Sequence, residues 1–447
     1  MLPTYPFLTA GEGDYSGIRR DGLVTAGSLL NAAARLAETL PERRFAINAC
    51  SDRLNFMAGL AAAMERSQIT LLPHVKAPEA IRNLAADYPG VYVITDGDLP
   101  EWCLESVTVP LFEKRAASSR RFVFPADQIA VTAFTSGSTG KPAAHVKTWG
   151  SLCVGAELAA RRFRVDGVNV KSIVATVPPQ HMYGLETTIM LPIQTGIPVF
   201  AGRPFFPQDI ASAIALCPKP AMVISAPVHI RACLLEKTGL EGASFLISAT
   251  APLSKNTARE TESTFGLKVM EIYGCTEAGS IASRNTSEAD DWTPYDGVVF
   301  YEDNGVFQVD GGHLEQRTPL NDTIELSPDG ARFKLAGRNA ELVNIGGKRV
   351  MLSELNHILN SIEGVEDGVF FVNEPEGENE PRLAAFAVAT KLKAKDIIEK
   401  LRQNTDPVFL PRPLYLVDSI PRNDTGKISR EALLDYAKKL AGREVTE

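Results

Sequence analysis

The chain has 447 residues, about three times the usual domain length, with 45% hydrophobic and 22% charged residues, the balance of a folded globular enzyme rather than a disordered or fibrous chain. Its net charge of -8, with no stretch that concentrates Lys and Arg, argues against a nucleic-acid partner. Met1 to Ala10 lacks a basic stretch leading into an apolar one, and no run of about 18 apolar residues occurs, so neither secretion nor a membrane span is expected. The six cysteines (Cys50, Cys103, Cys153, Cys217, Cys233, Cys275) lie far apart without a CxxC pair and read as reduced thiols of a cytoplasmic protein.

Helix-like Ala26 to Leu40, apolar Phe45 to Ala49, helix-like Leu54 to Glu65, apolar Ile69 to Leu72, helix-like Pro78 to Asp87 and strand-like Val91 to Thr95 alternate in the way that predicts a parallel sheet with helices on its faces. The same rhythm resumes after the strand Ile129 to Phe134 and runs through Ser172 to Val177, Val199 to Ala201, Ala221 to Ser225, Phe245 to Ser248 and Lys268 to Tyr273. Two α/β subdomains follow from this. From about Asp296 to Leu335, short alternating strands separated by Gly, Asp and Asn predict a β-rich cap. Beyond Gly337-Arg338 the pattern becomes α+β: helix Ser353 to Ile362, strand Val369 to Val372, a charged turn over Glu374 to Glu380, strand Ala384 to Ala389, helix Lys395 to Gln403. The expected division is a large α/β domain over 1–338 and a small, mobile α+β domain over 339–447.

Three segments carry chemistry. Thr135-Ser136-Gly137-Ser138-Thr139-Gly140-Lys141-Pro142 follows the apolar strand directly; glycines let several N–H groups converge and hydroxyls add donors, as a triphosphate requires. Only two residues separate Gly137 from Gly140, so this is not the Walker A spacing, and a bare Gly/Ser/Thr stretch is equally compatible with a surface linker. Glu271-Ile-Tyr273-Gly274-Cys275-Thr276-Glu277 closes another strand with an aromatic ring, a hydroxyl and carboxylates. By itself that segment also reads as a core Tyr and a surface Glu. Pro421-Arg-Asn-Asp-Thr-Gly426-Lys427-Ile428 puts a lysine at the tip of a turn, where a lone lysine is ordinarily only solvated.

In this order and at these distances the three segments resemble the adenylate-forming superfamily of acyl-CoA synthetases, peptide-synthetase adenylation domains and luciferases, over nearly the whole chain. Further segments agree: Pro179-Gln-His181-Met-Tyr-Gly184, Ile247-Ser248-Ala-Thr250-Ala251-Pro252-Leu253, Asn321-Asp322, Gly337-Arg338 and Asn344-Ile-Gly346-Gly347-Lys348. The resemblance implies that ATP and Mg²⁺ activate a carboxylic acid as its acyl-AMP, which then passes to the pantetheine thiol of an acyl carrier protein or coenzyme A. It assigns the nucleotide to the Thr135 to Lys141 loop, to Thr250, Ala251 and Pro252, to Glu271, Tyr273 and Gly274, and to Asp322 and Arg338. It assigns catalysis to Lys427, Glu277 and Thr276, with Glu277 on the metal, and the acid to His181 and Ser248.

The short N-terminal half and the Pro179 to Glu186 segment are similar to the stand-alone ligases of aryl-polyene pigment clusters, which prime a carrier protein with a hydroxylated aromatic acid. Two departures stand out. Ala143 occupies a place where the family usually has Lys or Arg, leaving Lys141 or Lys147 to substitute, and Ala340 stands where the hinge residue is usually Asp or Lys. A nucleotide-binding homologue without ligase turnover is the alternative these two positions admit.

Overall fold

Apolar runs bounded by Gly, Pro and polar turns become buried strands throughout the first three hundred residues, as in Ile69–Leu72, Tyr92–Thr95 and Ala221–Ser225, every residue of which is buried. The structure is a computed structural model and describes residues 3–73, 78–97, 102, 104–113, 120–135, 143–163, 170–303, 306–338, 342–345, 348–373, 382–422 and 428–444. By its contacts the chain divides into two compact units, Met1–Val299 with Val309–Thr318, and Phe300–Gln308 with Pro319–Glu447.

The first unit holds two sheets. A six-stranded sheet takes the order Ala143–Thr148, Ile129–Thr135, Ile69–Leu72, Phe45–Asn48, Tyr92–Thr95, Ser106–Thr108, parallel except for the hairpin between its first two strands. A nine-stranded sheet takes the order Thr293–Pro294, Gly279–Asn285, Lys268–Cys275, Ala243–Ser248, Ala221–Ser225, Ser172–Ala175, Val199–Phe200, Tyr15–Arg19, Gly22–Thr25, with six parallel strands at its centre. The two α/β subdomains expected from the sequence are these sheets with their helices. One assignment could not be made locally: Tyr15–Arg19 crosses to the second sheet and pairs with Val199–Phe200.

Helix Arg53–Glu65 is apolar on nearly every face, with Leu54, Phe56, Met57, Leu60 and Met64 all buried, the pattern of a helix enclosed on all sides. Its first residue, Arg53, is fully buried and ties the subdomains together by donating to Ala175 O (2.9 Å), Val177 O (2.6 Å) and Gly202 O. Burial lowers the Arg53 guanidinium to about 9, which leaves it charged at neutral pH.

The second unit contains the two-stranded ladders Asp322–Leu326 with Phe333–Arg338 and Leu342–Ile345 with Lys348–Met351, then helix Leu352–Ser361. A three-stranded sheet follows, made of Asp367–Asn373, Arg382–Val388 and Leu414–Leu416. Strand alternation places Phe370, Leu383 and Ala385 on one face with Leu355, Leu359 and Ile397, while Val369, Phe371 and Phe386 face Leu433 and Ala437 of helix Arg430–Glu444. The strands expected as a cap fall largely in this unit, and the boundary expected at 338/339 lies inside it. The charged turn over 374–380 lies outside the described residues, though the strands flanking it pair antiparallel as a hairpin. Among the described residues no helix is long and apolar enough to cross a membrane, and five cysteines are free thiols.

Candidate active site

Parallel strands deliver their carboxyl ends to one edge, where ligands of open α/β sheets collect. In the nine-stranded sheet Ser225, Ser248 and Glu271 stand in register, so the segments that follow them emerge side by side. Ser248, Thr250, Ala251 and Pro252 leave one strand there, and Tyr273, Gly274, Thr276 and Glu277 leave its neighbour.

The hydroxyls of Ser248 and Thr250 are buried and make no hydrogen bond among the described residues. Each unmet buried hydroxyl costs about 1–3 kcal/mol. Thr250 also has φ = 78°, a left-handed conformation that a β-branched residue adopts at a cost of about 1–3 kcal/mol. Unmet donors and backbone strain on two residues of one short segment fit a ligand that supplies the missing partners, and a nucleotide suits that requirement.

His181 begins helix Met182–Leu185, which continues through a π-helical turn, Glu186–Met190, into Leu191–Thr195. Such turns are rare and frequent at functional sites. Tyr183 fixes the helix to the sheet edge by donating to Ser225 O (3.1 Å) and Ile247 O (2.9 Å), and burial pushes its phenol well above the ordinary value. Gly184 is required because any Cβ would collide with the carbonyl of Pro178. Gln180 donates to Cys50 O, so the segment before His181 is held from both sides.

The turn after Lys268–Cys275 is gripped at successive backbone positions. Lys147 Nζ donates to Glu277 O (2.6 Å), His313 Nε2 bonds Ala278 O (2.8 Å), and Ser280 N donates to both Glu186 carboxylate oxygens (3.1 and 3.2 Å). Gly279 has φ = 72°, and a Cβ there would strike Glu186 Oε1. What remains outward is the Glu277 carboxylate, half-buried, with His145 Nε2 at 3.9 Å. His145 Nε2 in turn lies 3.0 Å from Thr135 Oγ1, which brings the end of the loop-bearing strand to the same place. Burial lowers both the His145 and His313 imidazoles from the ordinary range, so both are neutral at pH 7.

Two of the residues singled out from the sequence are engaged by the protein's own groups. Glu271 was expected at the nucleotide, but its side chain is 3% exposed and its oxygens accept from Arg284 Nε (2.8 Å) and Nη2 (2.6 Å), Thr286 Oγ1 (2.8 Å) and Leu253 N (2.8 Å). Its carboxylate is occupied by the protein's own donors. Lys147 does not stand in for the missing phosphate-side cation, because its ammonium is buried and committed to the Glu277 carbonyl. Tyr273 packs beside Trp292 with ring centroids 5.6 Å apart. Asp322 and Arg338 belong to the second unit, where their backbones pair across the Asp322–Leu326 and Phe333–Arg338 ladder. Ser136, Gly137, Ser138, Thr139, Gly140, Lys141 and Lys427 lie outside the described residues. Sequence reasoning missed His145, Glu186 and His313 as parts of this constellation and weighed Lys147 only as a phosphate-side cation; the alternation of His145 and Lys147 along one strand was the available signal.

Among the described residues no group of three or more His, Cys, Asp or Glu could hold a metal ion. A lone carboxylate at Glu277 does not make a resident metal site. It does fit Mg²⁺, which keeps most of its waters and arrives on phosphate oxygens with one or two protein carboxylates.

A sheet edge with two buried hydroxyls unmet among the described residues, a threonine at positive φ and a half-buried carboxylate offers donors and an acceptor of the kind a nucleotide uses. The chain belongs to the AMP-binding enzyme family, whose pattern it matches over residues 35–312. It is 27% identical over 327 residues to the 4-coumarate–CoA ligase of Halorhodospira halophila, covering 67% of this chain and 74% of that one. It is 22% identical over 328 residues to the 3,4-dihydroxybenzoate–[aryl-carrier protein] ligase of Bacillus anthracis, covering 69% and 74%. The long-chain-fatty-acid–CoA ligase of Bacillus subtilis is 22% identical over 351 residues, 70% of this chain but 62% of that one. In fold the chain is similar to the o-succinylbenzoate CoA synthetase of Bacillus subtilis bound to its acyl-adenylate, with TM-score 0.80 at 18% identity over 97% of this chain and 98% of that one. The same synthetase with ATP and magnesium gives TM-score 0.79 at 17% identity, over 96% and 99%.

Proposed function

We propose that the protein activates a small carboxylic acid, aromatic in the first instance, as its acyl-AMP and transfers the acyl group to the pantetheine thiol of an acyl carrier protein or coenzyme A in the cytoplasm. The observation that carries this reading is the pairing, on adjacent strand ends, of the unmet Ser248 and Thr250 hydroxyls with the open Glu277 carboxylate. Of the acids named for the sequence relatives above, coumarate and dihydroxybenzoate are aromatic and the third is a long-chain fatty acid; the two aromatic ones favour an aromatic substrate.

In the first half-reaction a carboxylate oxygen attacks the α-phosphorus, the bond to the β-phosphate breaks, and pyrophosphate leaves. In the second, the thiol sulfur attacks the acyl carbon, AMP leaves and the thiol proton passes to solvent. Two anions must meet in the first step, so catalysis is chiefly charge neutralisation and alignment. Mg²⁺, when bound, would supply charge neutralisation at the phosphates. Within the chain, Glu277 holds the metal side, Thr276 and the Thr135 to Lys141 loop bind phosphate oxygens, and Lys427 of the small domain over 339–447 offers a cation to the reacting carboxylate and α-phosphate. Thr250, Ala251, Pro252, Tyr273 and Gly274 border the base, Asp322 and Arg338 serve the ribose side, and His181 with Ser248 line the acid's carboxylate end.

Mass spectrometry of reactions containing ATP, Mg²⁺, an aromatic acid and either coenzyme A or a phosphopantetheinylated carrier protein tests this. An acyl-AMP that accumulates without a thiol and becomes a thioester with one acceptor supports the proposal and names the acceptor. ATP binding with neither product from any acid would move the reading to a nucleotide-binding homologue without turnover.

A further inference from the structure

Across the antiparallel ladder of Lys268–Cys275 with Gly279–Asn285, Glu271 faces Arg284 and Tyr273 faces Ala282. Glu271 and Tyr273, two residues apart, share a face of their strand, so an ion pair and an aromatic ring stand side by side. An alanine is too small to brace a ring, and the wall comes from outside the pair. Trp292, 4% exposed, directly precedes strand Thr293–Pro294 and packs on Tyr273 with the ring planes at 53°. Trp292 is braced in its turn by the Arg284 guanidinium, 4.6 Å from its ring centroid. Arg284 donates from Nε and Nη2 to Glu271 Oε2 and from Nη1 to Asp290 O (3.4 Å). The other oxygen of Glu271 accepts from Leu253 N, at the end of the segment that carries Ser248, Thr250, Ala251 and Pro252. A buried ion pair adds little net stability over apolar side chains of the same volume. What this one supplies is orientation, because a planar guanidinium engaged along its edges presents a fixed face to the indole.

We infer that Trp292 and Arg284 are positioning residues for the adenine base: Trp292 sets the plane of the Tyr273 ring, Arg284 sets the plane of Trp292, and Glu271 ties both to the Thr250 segment. The inference rests on the proposed place of the base between Tyr273 and that segment. Trp292 and Arg284 act through the Tyr273 ring rather than on the nucleotide. Losing them lets the ring tilt, which weakens ligands that carry the base and spares the acid.

Calorimetric titration with AMP, followed in parallel by tryptophan fluorescence, reads this out without turnover. Trp292→Leu should weaken AMP about tenfold, the upper end of what one aromatic pair is worth, while Trp292→Phe, which keeps a ring there, should stay within about threefold. The chain has three tryptophans, and Trp102 and Trp149 pack in other parts of the core, so the fluorescence change on AMP binding should disappear in Trp292→Phe. In pyrophosphate exchange, Trp292→Leu should raise KM for ATP about tenfold and leave KM for the acid within about twofold. Because Trp292→Leu may disturb folding, the double variant Glu271→Gln/Arg284→Met, which removes the ion pair without stranding a buried charge, should weaken AMP about threefold or more. AMP affinity unchanged in both variants, a KM rise shared equally by ATP and acid, or a fluorescence change that survives Trp292→Phe would each overturn the inference. A wild-type protein that binds no adenine nucleotide would remove the base from Tyr273, and this inference with it; wild-type AMP binding with no loss in the variants removes only the inference.

Discussion

The body of the strand Lys268–Cys275 and the turn beyond it carry two glutamates six positions apart, with opposite fates. Glu271 is sealed in the sheet, both its oxygens accepting from the protein: Oε2 from a guanidinium and a hydroxyl, Oε1 from an amide. Glu277 has its backbone clamped and its carboxylate left open. The same chemical group is structural where the register supplies an arginine opposite it, and available for chemistry where the strand has ended. The protein has the stability of the first and the reactivity of the second on one element.

Removing Glu271 should therefore have the largest effect, and on folding. Glu271→Ala leaves Arg284, whose side chain is 16% exposed, without its anion, and urea denaturation should show a loss of about 3–5 kcal/mol. Glu277→Gln should instead leave stability within about 0.5 kcal/mol of wild type while pyrophosphate exchange falls about 10²–10³-fold, the scale of a lost transition-state contact. If the two variants exchange these phenotypes, the contrast between strand and turn is wrong. Thr250→Gly, which removes both the strained Cβ at φ = 78° and an unmet hydroxyl, should raise thermal stability by about 1 kcal/mol and weaken nucleotide binding in the same titration.

The smallest effect concerns pH. Burial lowers the His229 imidazole, whose Nδ1 lies 3.1 Å from Phe205 O, below its ordinary 6.5. The unfolded chain then binds the extra proton first, so this histidine's contribution is present above about 6.5 and declines as pH falls below it, at no more than about 1.4 kcal/mol per pH unit. His229→Gln should flatten that part of the denaturation curve and leave the Glu271 and Glu277 contrast untouched.

Much of this was legible in the sequence because the evidence is local. Runs such as Ile69–Leu72 and Ala221–Ser225 are apolar, short and bounded by turn residues, and they appear as strands with the expected bounds. Segments that end strands, Ser248 to Pro252 and Tyr273 to Glu277, lie on one edge because neighbouring parallel strands bring their carboxyl ends together. The partner of Glu271 is fixed by antiparallel register with Arg284, thirteen residues away, which no local pattern reveals. No strand was read over 143–148, and the inward face of His145 and Lys147 follows from contacts with the distant Cys275 to Gly279 turn. Glu186 begins a helical stretch that is otherwise uncharged and buried from Thr187 to Ile193, an anomaly whose meaning appears only when Ser280 is seen opposite it.

The central claim is that this sheet edge adenylates a carboxylic acid. Carboxylate-dependent ATP–pyrophosphate exchange, run over aromatic, short-chain and long-chain acids with wild type and Lys427→Ala, tests it most directly. The account predicts exchange that requires an acid, is strongest with one class, and falls by orders of magnitude in the variant. Exchange that is absent with every acid while ATP still binds, or that survives undiminished in Lys427→Ala, would contradict it.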